Sequence, residues 1–141
     1  MRLFLLFSII LPVMAACASQ GGGISGSPTD AGTAPAKAEY HKMSQQDAKK
    51  IMDSGEAYTL VDVRTQSEYD TGHINGAVLI PVDEIGARAA SELPDKNALI
   101  MVYCRSGVRS SQAATTLVGL GYTNVQDIGG ISTWPYDNVT K

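Results

Sequence analysis

From residue 44 onward, apolar residues occur in two alternating patterns, short continuous runs and stretches with helical spacing. The continuous runs are rich in β-branched residues, which predicts buried strands over 58–63, 77–80, 98–103 and 124–128. The stretches between them predict helices over 44–54, 67–71, 83–93 and 108–120. Strands that alternate with helices pair in parallel through right-handed crossovers. The pattern therefore predicts an α/β fold with a parallel sheet covered by helices on both faces.

Local signals set several of these bounds. Ser44 is a suitable N-cap residue with Asp47 three positions later, and Gly55 is expected to end the first helix. Asp83 and Glu84 suit the positive N-terminal end of the helix predicted over 83–93.

The N-terminal segment has the features of an export signal. A short apolar run, 3–13, follows Met1 and Arg2 and is too short to span a bilayer, which takes about 20 apolar residues. The run leads to Met14-Ala-Ala-Cys17, which resembles the lipobox of bacterial lipoproteins except that leucine is usual at the first position. This resemblance implies removal of residues 1–16 and attachment of a diacylglycerol to Cys17. The alternative is an ordinary secreted protein that is cut after Ala16.

Composition divides the rest of the 141-residue chain into a tether and one domain. Residues 17–38 are dominated by glycine, serine, alanine and proline, which cannot bury a core, so they predict a flexible tether. Residues 39–141 have the length of one small domain. The net charge of −3 provides no basic surface for nucleic acid, and an anionic substrate must be bound by local positive groups.

Cys104 is the candidate nucleophile, because it follows the most hydrophobic predicted strand. Ligands of α/β sheets bind beyond the carboxyl ends of strands. Three features favour a thiolate at this position: the backbone amides of 105–109, the positive end of the next helix, and the charges of Arg105 and Arg109. Gly107 suits a tight curl that needs positive φ or a close backbone approach.

Other functions for the two cysteines are less consistent with the sequence. A disulfide between Cys17 and Cys104 would require Cys17 to escape lipidation, and an inert, packed Cys104 would not explain the glycine and arginines that follow it. Two histidines and one available thiol form no metal-ligand cluster, so we expect no metal and no cofactor.

Several spaced motifs resemble a rhodanese domain, and the similarity covers nearly all of 39–141. They are Leu60-Val-Asp-Val-Arg64, Glu68-Tyr69, Gly72-His-Ile-Asn-Gly-Ala77, Tyr103-Cys-Arg-Ser-Gly-Val-Arg-Ser110, Gly121-Tyr122, Val125, Gly129-Gly130-Ile131 and Trp134. The resemblance implies a five-stranded, mainly parallel sheet. Little chain follows Trp134, so the last helix of the family is expected to be truncated.

The resemblance also implies a reaction and a set of roles. A cysteine thiolate takes the outer sulfur of thiosulfate or a similar donor, and cyanide or a cellular thiol then removes it from the persulfide. Cys104 would carry the sulfur, and Arg105 and Arg109 would orient the anionic donor. The persulfide would be held by the backbone amides of a loop consisting of Arg105, Ser106, Gly107, Val108 and Arg109.

None of the remaining polar residues of the motifs is expected to take part in the chemistry. Asp62 and Arg64 are assigned a supporting role, and Glu68 and His73 are not expected to be catalytic, because a preformed thiolate needs no general base. The spacing from Cys104 to Arg109 is C-x4-R, as in sulfurtransferases, whereas the related phosphatases and arsenate reductases have C-x5-R.

The sequence thus predicts an extracytoplasmic sulfurtransferase that is a monomer, held at a bacterial envelope membrane only by the lipid on Cys17. Ala18 in place of a retention aspartate suggests the outer membrane where one exists. The main alternative is a persulfide carrier or redox partner that does not turn over, and a phosphatase or arsenate reductase is the other.

Overall fold

The computed structural model describes residues 39–141, so the predicted leader, the lipidated Cys17 and the tether lie outside the described residues. Seven strands, four α-helices and a 3₁₀ turn at Ile131–Thr133 make up the described part. The strands are β1 (His41–Lys42), β2 (Thr59–Asp62), β3 (His73–Ile74), β4 (Val78–Leu79), β5 (Ile100–Cys104), β6 (Val125–Gly130) and β7 (Val139–Thr140). The helices are α1 (Gln45–Ser54), α2 (Gln66–Thr71), α3 (Ile85–Glu92) and α4 (Val108–Gly119).

Five strands form the main sheet in the order β1-β6-β5-β2-β4, and every neighbouring pair is parallel. This confirms the predicted α/β fold and its five-stranded sheet. The central strand β5 is buried at all five positions, as its uninterrupted apolar sequence predicts. The carboxyl end of β5 is therefore flanked on both sides by the ends of neighbouring strands.

The two faces of the sheet have separate cores, and β5 contributes to both. Ile100, Val102 and Cys104 belong to the cluster that α3 and α4 cover, whereas Met101 and Tyr103 belong to the cluster that α1 covers. Side chains alternate between the faces of a strand with a period of two. The alternation places the Cys104 side chain on the α4 face of the sheet.

The predicted helix signals lie at the helix ends in both α1 and α3, where Glu84 is the N-cap, but α3 begins two residues later than expected. The Ser44 hydroxyl accepts the Asp47 amide at 3.1 Å, and Gly55 ends α1 with φ of 81°. The expected start of α3 at Asp83 is wrong. The chain first makes a turn in which the Glu84 amide donates to the Pro81 carbonyl at 2.8 Å, so the helix begins at Ile85.

Three of the four two-residue strands were not predicted, and only β4, within the run 77–80, was expected. Strands β1, β3 and β7 have two residues each, too few for a hydrophobic period to show in the sequence. The expected truncated helix after Trp134 is also wrong, because the chain instead extends as β7 and pairs antiparallel with β3. No helix within residues 39–141 is long and apolar enough to cross a membrane.

Candidate active site

Cys104 is the last residue of β5, and a bulge in β6 shapes the backbone beside it. Val102 lies opposite Asp127, but Cys104 lies opposite Gly130, so β6 has one more residue than β5 over this interval. Gly129 sits in the bulge with φ of 84°, and its amide donates to the Asp127 side chain at 3.0 Å. Bulges of this kind bend a strand, and here the bend brings β6 against the loop that follows Cys104.

The loop after Cys104 curls back over the sulfur, as its sequence predicts. Gly107 has φ of 102°, and its amide donates to the Cys104 Sγ at 3.0 Å. The Ser110 hydroxyl donates to the Gly107 carbonyl at 3.0 Å, which ties the turn to the first part of α4. The free thiol therefore lies at the N-terminal end of a twelve-residue helix, where backbone N–H groups favour an anion.

These hydrogen bonds favour the thiolate. Burial of the sulfur raises the pKa of Cys104, but hydrogen bonds from the Ser110, Gly107 and Ser106 amides and from the Ser110 hydroxyl outweigh it, so the pKa is lowered overall. The stabilising amides were expected within 105–109, and Ser110 was not among them. Its signal was available, since Ser110 occupies the first turn of the predicted helix after Gly107.

Replacing Ser110 with alanine is expected to raise the pKa of Cys104, because the hydroxyl that braces the loop is lost. Above the pKa of the variant thiol its alkylation rate should match wild type. At lower pH the rate should fall by about threefold, the effect of losing one hydrogen bond between neutral groups, because the Ser110 hydroxyl donates to the Gly107 carbonyl. The measurement is the rate of Cys104 alkylation as a function of pH.

Ser111→Ala is the matched control, because the Ser111 hydroxyl hydrogen-bonds the Tyr40 hydroxyl at 2.8 Å and not the loop. Its pH profile should coincide with wild type. An S110A profile that also coincides with wild type would show that the backbone amides alone set the thiol pKa.

Arg109 does not point a free positive charge at the sulfur. Its two terminal nitrogens donate to the two carboxylate oxygens of Glu68 at 2.7 and 2.9 Å. The Arg109 hydrogen bonds hold the pKa of Glu68 at about 2, so this pair stays ionised at neutral pH. No role was expected for Glu68 from the sequence. The Thr65-x-x-Glu68 spacing marks a helix start, but it does not reveal a partner in α4.

Arg105 contributes its backbone to the site, while its side chain is exposed. Its carbonyl accepts the Ser132 amide at 3.1 Å and the Ser132 hydroxyl at 2.7 Å. Gly130 packs against the backbone of Arg105. A Cβ atom at position 130 would lie 2.3 Å from the Arg105 carbonyl oxygen. Gly130 belongs to one of the sequence motifs, but no function was predicted for it. Consecutive glycines at the end of a predicted strand were the available signal.

Asp62 and Arg64 form a buried ion pair beside the site, with 2.6 Å between the Arg64 Nη2 and the Asp62 Oδ2. Arg64 also donates to the Gly72 carbonyl at 2.7 Å. Within residues 39–141 no hydrogen bond links this pair to 105–109, although the Asp62 charge contributes to raising the pKa of Arg109, so the pair holds the end of α2 directly and acts on the loop only through its charge. His73 stacks on Tyr69 with ring centroids 3.7 Å apart.

A groove of about 660 Å³ borders the loop on the β1 side. Ser106, Gly107 and Val108 form one wall, and Lys42 and Asp127 lie among the residues of the others. Val108, the first residue of α4, leaves 67% of its surface exposed. The residues in 39–141 contain no cluster of three side chains arranged to hold a metal ion.

Comparison with known proteins agrees with this geometry. The model of the family described as Rhodanese-like domain matches residues 44–135, which is more than half of the chain. The chain belongs to the rhodanese-like family. A curated relative, the thiosulfate sulfurtransferase PspE of Escherichia coli, is 42% identical over 71 residues, covering 50% of this chain and 68% of its own length.

Two further comparisons extend the similarity of this rhodanese-like chain. Thiosulfate sulfurtransferase 16 of Arabidopsis thaliana, a chloroplastic protein, is 38% identical over 98 residues, covering 62% of this chain and 80% of that protein. A solved structure titled rhodanese with anions from E. coli superimposes with a TM-score of 0.57 and 38% identity, covering 60% of this chain and 99% of that one.

Proposed function

We propose that this protein is a sulfurtransferase that moves sulfane sulfur from thiosulfate, or a similar anionic donor, to cyanide or a thiol. The observation that carries the proposal is the Gly107 amide 3.0 Å from the Cys104 sulfur, within a loop that lowers the pKa of that thiol. The thiolate is the form of cysteine that attacks sulfur, and a lowered pKa increases its share.

The proposed cycle has two steps through a persulfide on Cys104. The thiolate attacks the outer sulfur of thiosulfate, a new S–S bond forms, and the S–S bond of the donor breaks with its electron pair leaving on sulfite. The negative charge now lies on the terminal sulfur of the persulfide. The acceptor then attacks that terminal sulfur, and the electron pair of the broken bond returns to Cys104 as the thiolate.

The shape of the site supports sulfur as the transferred group. Cys104 leaves only 1% of its surface exposed, so a terminal atom can reach the sulfur more readily than a bulky group. The five residues from Arg105 to Arg109 that form the loop present N–H donors, which suit the anion of the resting thiolate and of the persulfide. The names of the relatives from E. coli and A. thaliana support the same donor.

The test combines an assay of catalytic turnover with a measurement of the protein's intact mass. Protein mixed with thiosulfate and cyanide is expected to produce thiocyanate catalytically, and intact mass spectrometry with thiosulfate alone should show the gain of one sulfur atom. Sulfite in place of thiosulfate is the control, since it carries no sulfane sulfur. A stable gain of one sulfur without turnover would identify a persulfide carrier instead, and no gain at all would refute sulfur transfer from thiosulfate.

For the N-terminal segment, we propose removal of residues 1–16 and lipidation of Cys17, which would place the domain on the outer side of a bacterial membrane. The support is the apolar run that ends in Met14-Ala-Ala-Cys17. The same intact-mass measurement, made on protein extracted from membranes, should show the lipid on Cys17. The monomeric state stays a prediction.

A further inference from the structure

The guanidinium expected to bind the donor already has an anionic partner. Arg109 and Glu68 are joined by two parallel hydrogen bonds of 2.7 and 2.9 Å, and their side chains are 30% and 25% exposed. This bidentate geometry is the strongest arrangement in which an arginine binds a carboxylate. A donor anion that approaches Arg109 therefore meets a pair with no net charge.

Glu68 is itself fixed in place from the other side. Its Oε2 accepts the Thr65 amide at 3.2 Å and the Thr65 hydroxyl at 3.1 Å, so its carboxylate closes the capping box of α2. Arg64 anchors the end of α2 through the Gly72 carbonyl. Moving this carboxylate away from Arg109 when an anion binds would therefore break its hydrogen bonds to Thr65 as well.

The charges around Cys104 then determine how strongly the loop holds a dianion. The backbone amides of the loop and Arg109 attract thiosulfate and sulfite, whereas the Glu68 carboxylate repels them. Tight binding of both donor and leaving group would be unproductive, because sulfite must depart before an acceptor can approach the persulfide.

We propose that Glu68 is a specificity-determining residue that weakens the binding of dianions at the Cys104 loop by occupying Arg109, which favours the release of sulfite. This inference rests on the proposed sulfurtransferase function. Glu68 acts through Arg109 and is a positioning residue. Removing the Glu68 charge should therefore strengthen anion binding, whereas removing a residue that only supports the loop should weaken it.

The experiment compares Glu68→Gln with Glu92→Gln. Glutamine keeps the size of the side chain and one hydrogen-bond acceptor but removes the charge. Glu92 is the matched control, because it is a helical glutamate 28% exposed that pairs with Arg88 at 2.6 Å, and its loss changes the net charge equally. The concentration of sulfite needed to protect Cys104 from an alkylating reagent measures the affinity of the site for the anion without turnover.

In the E68Q protein, sulfite is expected to protect Cys104 at concentrations about threefold lower than in wild type or E92Q, as for the loss of a partly exposed charge interaction. The KM for thiosulfate should fall in parallel, without a rise in kcat, and the difference should shrink at high salt. Glu68→Asp retains the charge, so this variant should bind sulfite more weakly than E68Q does, as wild type is expected to. Arg109→Ala should weaken protection below wild type.

Anion affinity that falls or stays unchanged in E68Q would overturn the proposal, as would an E68Q protein that does not fold, since either result would give Glu68 a purely structural role. These outcomes are separate from failure of the proposed function. If wild-type protein takes no sulfur from thiosulfate, sulfur transfer from that donor is refuted, while the protection measurement still tests Glu68.

Discussion

Replacing Cys104 with serine is expected to abolish sulfur loading from thiosulfate while leaving the fold intact. A serine hydroxyl is not ionised near neutral pH and cannot form a persulfide, so the first proposed step has no nucleophile. The position is buried at the end of β5, and oxygen is slightly smaller than sulfur, so we expect stability to change by about 1 kcal/mol or less. Intact mass after incubation with thiosulfate and a thermal unfolding curve measure the two effects.

Cys17→Ser is the matched control, because the chain has two cysteines and Cys17 is the other one. This variant should gain one sulfur as wild type does. Residual loading of the C104S protein that disappears only when Cys17 is also replaced would contradict the assignment of Cys104 as the sulfur carrier.

Replacing Gly130 with alanine is expected to cause the second large loss, through the backbone of the loop. The added Cβ would lie 2.3 Å from the Arg105 carbonyl oxygen and 2.7 Å from the Ser106 Cα, and both are backbone atoms that a rotamer change cannot move. The loop or β6 must shift, which we expect to cost about 1–3 kcal/mol of unfolding free energy. Displacing the loop also weakens the amide hydrogen bonds to Cys104, so sulfur loading near neutral pH should fall sharply.

Gly119→Ala is the control for the added methyl group. Gly119 is the last residue of α4, and a Cβ at this position meets nothing within 4 Å. Alanine there should leave loading unchanged and leave stability equal or higher by up to about 1 kcal/mol, because it favours the helix. Thermal unfolding and the alkylation rate of Cys104 compare the two variants. A G130A protein with wild-type stability and reactivity would show that the loop adjusts freely.

The order of the main elements and the position of the candidate nucleophile follow from the sequence alone. The uninterrupted apolar run before Cys104 predicts a central strand, and the alternation with helices predicts parallel pairing, so the cysteine had to lie at a carboxyl edge of the sheet. The positive φ of Gly107 was also predictable, because the turn between β5 and α4 is short. These features depend on residues close together along the chain.

Which groups surround the thiol depends on the three-dimensional fold. Glu68 and Arg109 are 41 positions apart, and their pairing depends on how α2 and α4 are placed on the sheet. The close approach of Gly130 to Arg105 depends on the bulge in β6 and on the pairing of β6 with β5. Sequence spacing does not reveal such ion pairs or close backbone contacts. Their energies depend on distances of a few ångströms between segments that are far apart along the chain. The position of Cys104 at the start of a loop that binds its sulfur was therefore predictable, while the strength with which this loop holds an anion depends on contacts that the fold creates.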